Sequence, residues 1–215
     1  MDAMTAEADI AERKFEPGTT GWCADDLDDP EIERLWNSGR YEIVEGVLTK
    51  MPPALFDGSA ALQELLHLLR MHLDAHQPGG KLATEVDVIL GQRRVPVVDA
   101  VYLTAADQAK QKQAYAAQPV RRKGVKYGRI LVPPTLVIES ISLGHEAHDR
   151  ETKREWYAEA GIPNYWLLDA QDRSLECLVL DAADYRTDQS GRDGDELRPG
   201  AFPGLILPLG KLWAE

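Results

Sequence analysis

A chain of 215 residues, 44% hydrophobic and 28% charged, has a globular profile and the length of one ordinary domain, which excludes a disordered or fibrous protein. Cys23 and Cys177, its two cysteines, form no CxxC pair, so a zinc ribbon, a thioredoxin-like redox pair and a disulfide scaffold are excluded as well. A net charge of −12 argues against a bulk, non-specific nucleic-acid binder, because affinity for phosphate comes from neutralising cations.

Along the chain, residues 1–28 read as an acidic, aperiodic and mobile arm, and residues 29–215 as a single domain. The first 33 residues hold eleven acids and two basic residues. No charged and then apolar leader opens the sequence, and the longest apolar stretch, 130–138, is interrupted by Pro133 and Pro134. It falls short of a membrane span, so a cytoplasmic protein without a membrane partner is expected. Asp29 or a neighbour caps a short helix from Pro30 to Trp36. Arg40 to Met51 reads as two strands around the Glu45-Gly46 turn. From Ser59 to His76, apolar residues at 62, 65, 66, 69 and 73 make a helical stripe that Pro78-Gly79-Gly80 ends.

Leu82 to Leu90 alternates in part, Arg93-Arg94 makes a turn, and Val95 to Leu103 is almost wholly apolar. Residues 104–118 read as a helix and lead into a cationic segment: residues 108–138 hold seven basic residues and no acid. Leu136 to Leu143 is a further apolar strand. Asp149 to Ala160 is expected to be a helix with Asp149 as N-cap, Gly161 at its C-terminal stop and Pro163 just beyond. Tyr165–Leu168 and Leu175–Leu180 pair as a hairpin, and the tail is irregular with at most one short strand. Strands mixed with helices, two of the strands apolar on both faces, give an α/β (α+β) domain with a central mixed β-sheet flanked by helices.

The two most apolar strands each carry one carboxylate, Asp99 and Glu139. An isolated buried carboxylate is very costly, so each must pair with a cation inside the fold or both must line a cleft where a metal neutralises them. Two such acids in neighbouring strands favour the metal, and oxygen ligands suit Mg²⁺ or Mn²⁺. Asp149, Lys153 and Tyr157 follow at i, i+4 and i+8 and share the helix face that packs on the sheet. A lysine on a packed face needs an anion, and the Glu139 strand immediately precedes it.

These residues resemble the bacterial Uma-two family of putative restriction endonucleases, a branch of the PD-(D/E)XK nuclease superfamily. The matching pieces are Tyr41-Glu-Ile-Val-Glu-Gly-Val-Leu48 with Met51-Pro-Pro53, the Asp99 strand, and Pro133-Pro-Thr-Leu-Val-Ile-Glu-Ser-Ile-Ser142, continued by Asp149-Arg-Glu-Thr-Lys-Arg-Glu-Trp-Tyr-Ala-Glu-Ala-Gly-Ile-Pro-Asn-Tyr-Trp-Leu-Leu-Asp169. The resemblance implies a restriction-endonuclease-like core and a Mg²⁺-dependent (or Mn²⁺-dependent) endonuclease acting on DNA. It implies Asp99, Glu139 and Lys153 as catalytic residues, with Asp99, Glu139 and the Ser140 carbonyl holding the metal. Glu42 and Tyr157 are peripheral site candidates. Val98 stands where the family has proline before the first acid, and no histidine matches the family's within 56–63.

Arg121, Arg122, Lys123 and Lys126, with Tyr115 and Tyr127 among them, are the candidate nucleic-acid contacts, since only that segment offers phosphate a positive field. The alternative is a catalytically inactive module of the same fold that binds nucleic acid or protein. Self-association stays open. His145-Glu-Ala-His148 misses the HExxH zinc spacing by one residue and reads as a solvated loop. His72 and His76 read as helix surface.

Overall fold

The computed structural model describes residues 14–53, 55–118 and 128–213. Near its start, the Asp29 carboxylate accepts hydrogen bonds from the backbone N–H groups of Glu31 and Ile32 and so caps α1 (Pro30–Trp36). The expected hairpin follows as β1 (Tyr41–Val44) and β2 (Val47–Lys50). Glu45 and Gly46 turn it with φ of 51° and 82°, the left-handed pair of a tight hairpin loop. Next comes α2 (Phe56–His76), whose residues Ala61, Leu65, Leu69 and Leu73 are buried. Helical spacing puts those four on one stripe.

A six-stranded sheet has the order β3-β5-β6-β7-β8-β9, built from β3 (Lys81–Asp87), β5 (Val97–Leu103), β6 (Leu136–Ser140), β7 (Asn164–Asp169), β8 (Ser174–Asp181) and β9 (Asp184–Arg192). The strands β6 and β7 run parallel, while the other neighbours are antiparallel. Parallel pairing requires a crossover, and here it is helical. The short β4 (Arg94–Val95) pairs with β1 and joins the hairpin in a second sheet. Pro96 separates it from β5. Before the cationic segment, α3 (Ala105–Ala117) starts at Thr104, whose hydroxyl and the Asp107 carboxylate cap it reciprocally.

Three expectations need correction. The crossover helix does not start at Asp149: residues His148–Lys153 form a π-helical turn that runs on into α4 (Arg154–Glu159). The Asp149 carboxylate is engaged by Lys153 at 3.4 Å instead of capping, and its N–H bonds the His145 carbonyl. Gly161, φ 71°, stops α4 as expected. The tail holds a nine-residue strand, β9, with Tyr185 as its one buried residue. An edge strand exposed on most of its length carries no apolar alternation to read. Third, residues 14–28, grouped by the sequence with an acidic arm, pack on the hairpin: Trp22 and Leu27 are buried with Ile32, Trp36, Ile43 and Leu48. Residues 1–13 lie outside the described residues.

Two further cores cover the faces of the large sheet. On one face α2 and the C-terminal segment around Phe202 and Leu207 pack on Ala100, Tyr102, Leu136, Ile138, Trp166 and Leu168. On the other, Tyr157 and Ala158 pack on Val101, Val137, Tyr165 and Leu167. The period of two thus sends Val137 and Glu139 to the α4 face and Leu136 and Ile138 to the α2 face. No helix among the described residues is long and apolar enough to cross a membrane. Leu69, fully buried between α2 and the sheet, sets a test of this packing: Leu69→Ala should lower unfolding free energy by about 2–5 kcal/mol, read by urea denaturation.

Candidate active site

The antiparallel register of β5 on β6 pairs Ala100 with Ile138 and thereby sets Asp99 beside Glu139, one step further along both strands. Glu139 Oε2 accepts a long hydrogen bond, 3.4 Å, from the Asp99 N–H, and Asp99 Oδ2 accepts one of 2.8 Å from the Ser140 N–H. The two carboxylates whose positions interrupt apolar strands are therefore neighbours at the C-terminal end of β6. Ends of this kind, beside a crossover, are where open α/β sheets bind ligands.

Of the alternatives that the sequence leaves open, the structure shows the first: each carboxylate pairs with a cation inside the fold. Asp99 Oδ1 is 2.7 Å from Nη2 of Arg40. Lys153 Nζ sits 3.1 Å from Glu139 Oε1, 3.1 Å from Glu42 Oε1 and 3.4 Å from Asp149 Oδ1. Tyr157 donates its hydroxyl to Glu139 Oε1 at 2.6 Å. Glu42 accepts in addition from the Val97 N–H and lies 3.1 Å from Nε2 of His148. The His148 ring meets Trp156 edge to face, 5.7 Å between centroids. Hairpin, sheet and π turn are thus tied through one ammonium group.

Burial dominates the electrostatics. It pushes the Glu139 carboxyl well above its usual range against the pull of Lys153, and the charges of Asp99 and Asp149 add to the rise. Burial opposes ionisation of Glu42 too, but Lys153 and His148 outweigh it and hold that carboxyl below the usual value. The same desolvation disfavours the Lys153 ammonium; the carboxylates around it, Glu139 first, reverse this and keep it charged. Burial and the Glu139 charge drive the Tyr157 phenol up, so it remains a donor. Four carboxylates (Glu42, Asp99, Glu139, Asp149) face two fixed cations (Arg40, Lys153). Burial and the neighbouring acids raise both the Glu139 and the Asp149 carboxyls, a crowding of acids that a further cation would relieve.

The donor set fits such an ion. Glu139 Oε1 is taken by Lys153 and Tyr157, whereas Oε2 has only the 3.4 Å contact and stays available. A space of about 10 Å³ is lined by Arg40, Asp99, Glu139, Ser140, Asp149 and Lys153, the size that holds one water-sized body. No three His, Cys, Asp or Glu side chains among the described residues form a ready-made cation cage; two carboxylates with a backbone carbonyl do not require one. Beside it opens a cleft of about 380 Å³ whose lining includes Arg40, Gly58, Leu62, Glu85, Asp99 and Ser140. Gly58 makes that junction tight: a Cβ there would stand 3.0 Å from the Ser140 hydroxyl oxygen.

Asp99, Glu139, Ser140, Lys153, Glu42 and Tyr157 are all brought together. Arg40 and His148 belong to the same cluster and were not anticipated. An arginine just before a hairpin looks like any solvated cation, and His148 follows a loop-like run; each meets its partner across the fold. Of the candidate nucleic-acid contacts, Arg121, Arg122, Lys123 and Lys126 lie outside the described residues, as does Tyr127. Among their described neighbours, Arg129 pairs with Asp87 at 3.0 Å, Lys110 with Asp107 at 3.4 Å, and the Tyr115 hydroxyl bonds the Arg129 backbone.

Comparison with known proteins bears on the family and the fold. A family model described as "Putative restriction endonuclease", Uma2, matches residues 29–210. A crystal structure of a putative nuclease belonging to DUF820 from Anabaena variabilis ATCC 29413 superposes with a TM-score of 0.61 at 16% identity, covering 80% of this chain and 89% of that one. At that identity the likeness concerns the fold. No curated protein matches the sequence.

Because three carboxylates share Lys153, Lys153→Met should cost about 3–5 kcal/mol at neutral pH, the usual penalty for stripping one partner from a buried ion cluster. A carboxyl whose folded pKa is raised, as in Glu139 and Asp149, favours folding below its unfolded pKa and loses that contribution as pH rises through the folded value. The deficit of the variant relative to wild type should therefore shrink between about pH 8 and about pH 5, followed by urea denaturation across that range. A deficit independent of pH would show that the lysine is not neutralising these acids.

Proposed function

The chain belongs to the Uma2 family of putative restriction endonucleases, and we propose that it is a Mg²⁺-dependent (or Mn²⁺-dependent) endonuclease that hydrolyses DNA phosphodiester bonds. The observation that carries this reading is the meeting of Asp99 and Glu139, with Lys153 3.1 Å from Glu139, around a space of about 10 Å³ next to an open cleft. A two-carboxylate-plus-lysine set at a strand end is the arrangement this family's chemistry needs.

Asp99, Glu139 and the Ser140 carbonyl would hold the metal. The chemistry a bound Mg²⁺ supplies is neutralisation of charge on the phosphate and acidification of a bound water. Lys153 lines the same small space, so its ammonium can orient a water there and stabilise negative charge that builds on the phosphate oxygens. Tyr157 fixes Glu139 by occupying Oε1, which leaves Oε2 for ligation, and Glu42 with His148 fixes Lys153 from the hairpin side. Water adds to phosphorus, the P–O3′ bond breaks, and the departing oxygen takes up a proton, leaving 3′-hydroxyl and 5′-phosphate ends.

One observation favours the other reading, an inactive module of the same fold: Asp99 already has a neutralising partner in Arg40. Metal binding separates the two. Mg²⁺ or Mn²⁺ at millimolar levels should raise the melting temperature by mass action, and Asp99→Asn should abolish that shift together with metal-dependent cleavage of DNA. A wild type that shows neither shift nor cleavage would leave the module. On the substrate side, replacing Arg121, Arg122 and Lys123 with alanine should flatten the slope of log K against log salt for DNA by up to about two to three units, at about 0.9 per phosphate contact. An unchanged slope would remove those residues from the interface.

A further inference from the structure

Arg40 is placed as though it served two sites. It lines both the small space between Asp99, Glu139 and Lys153 and the larger cleft alongside. A guanidinium offers five N–H donors in a fixed fork, yet among the described residues Nη2 alone has a side-chain partner, Asp99 Oδ1, and the buried Nε has none. Its backbone is held, since the Arg40 carbonyl accepts from the Met51 N–H. The side chain keeps 26% of its surface exposed, against 2% for Lys153. One cation of the cluster is locked in place; the other is attached by a single contact at the edge of open space.

Both oxygens of Asp99 are occupied, Oδ1 by Arg40 and Oδ2 by the Ser140 N–H. The backbone donor cannot leave without unpairing the strands, whereas the arginine can. A divalent ion and a guanidinium on the same carboxylate repel one another, so an ion that ligates Asp99 competes with Arg40.

We propose, building on the metal-dependent reading above, that Arg40 is an exchangeable counter-ion: it neutralises Asp99 in the metal-free protein and, when Mg²⁺ or Mn²⁺ takes that carboxylate, swings into the cleft to hold a phosphate of the bound strand. The fork of Arg40, mostly unpaired on Asp99, matches the two oxygens of a phosphate. Metal entry and grip on the nucleic-acid backbone then become coupled through one side chain, with Leu62 and Gly58 of α2 forming the facing wall.

The exchange predicts changes of opposite sign in a single variant. By calorimetric titration of the full chain with Mn²⁺ alone, Arg40→Ala should bind the ion about tenfold more tightly than wild type, a factor equal to roughly 1.4 kcal/mol, because the competitor is gone. Arg40→Lys, which keeps the positive charge, should stay close to wild type and guards against a folding defect in the alanine variant. With Ca²⁺ present to prevent cleavage, the salt dependence of Arg40→Ala binding to a short DNA duplex should fall by about 0.9 in slope, one phosphate contact. Mn²⁺ affinity that is unchanged or weaker in Arg40→Ala overturns the proposal and makes Arg40 a structural support of Asp99. An unchanged salt slope, or a wild type that holds no duplex, overturns the phosphate role. Failure of Mn²⁺ to bind wild type and Arg40→Ala alike would remove the metal reading itself, and the exchange with it.

Discussion

The ammonium of Lys153, buried among Glu42, Glu139 and Asp149, is the constraint on which the rest of the structure turns. Each of those acids arrives on a different element: the hairpin, the central strand and the π turn. Without the cation the three carboxylates would be buried at a high cost in charge, and with it they pin the small N-terminal sheet and the crossover helix onto the large sheet. A buried ionic cluster is rarely the most stable filling for its volume; apolar side chains commonly do as well or better. Stability alone is therefore a poor reason for so much charge beneath α4.

Around this constraint the fold divides its labour by strand parity. Alternate residues of β6 and of β5 from Ala100 onward feed two separate cores, and Glu139 falls in the parity that faces α4. The parallel β6–β7 pair then forces the chain to cross over that same face, which delivers Lys153 and Tyr157 above Glu139. Position thus follows from pairing and periodicity more than from local geometry at the site.

Much of this was legible before any coordinates. Asp99 and Glu139 stand out because charge interrupts strands that are otherwise apolar, and the spacing of Asp149, Lys153 and Tyr157 marks a single helix face. Glu42 could be reached only through family likeness, since its strand is short and its neighbours unremarkable in hydropathy. Arg40 and His148 could not be read at all: their partners, Asp99 and Glu42, lie 59 and 106 residues away, and nothing local marks a surface-like cation as one that folds inward. The edge strand β9 escaped for a related reason, because pairing with β8 by backbone hydrogen bonds needs no apolar pattern. The π turn escaped because sequence spacing does not separate it from an α-helical one.

That turn carries a consequence for how the protein tolerates changes in length. An α-helix advances about 100° per residue, at 3.6 residues per turn, and a π turn absorbs one additional residue within the same rise. The stretch His148–Lys153 thus holds one residue more than an α-helical turn would. Excising Thr152 would leave a well-formed helix, an intact sheet, the full complement of charged groups and flanking segments still in phase, since the turn has already absorbed the extra residue. Asp149 and Lys153 would then stand three residues apart instead of four and meet at a different angle. The lesion would be local, silent in a helix-content measurement and felt where Lys153 meets its acids.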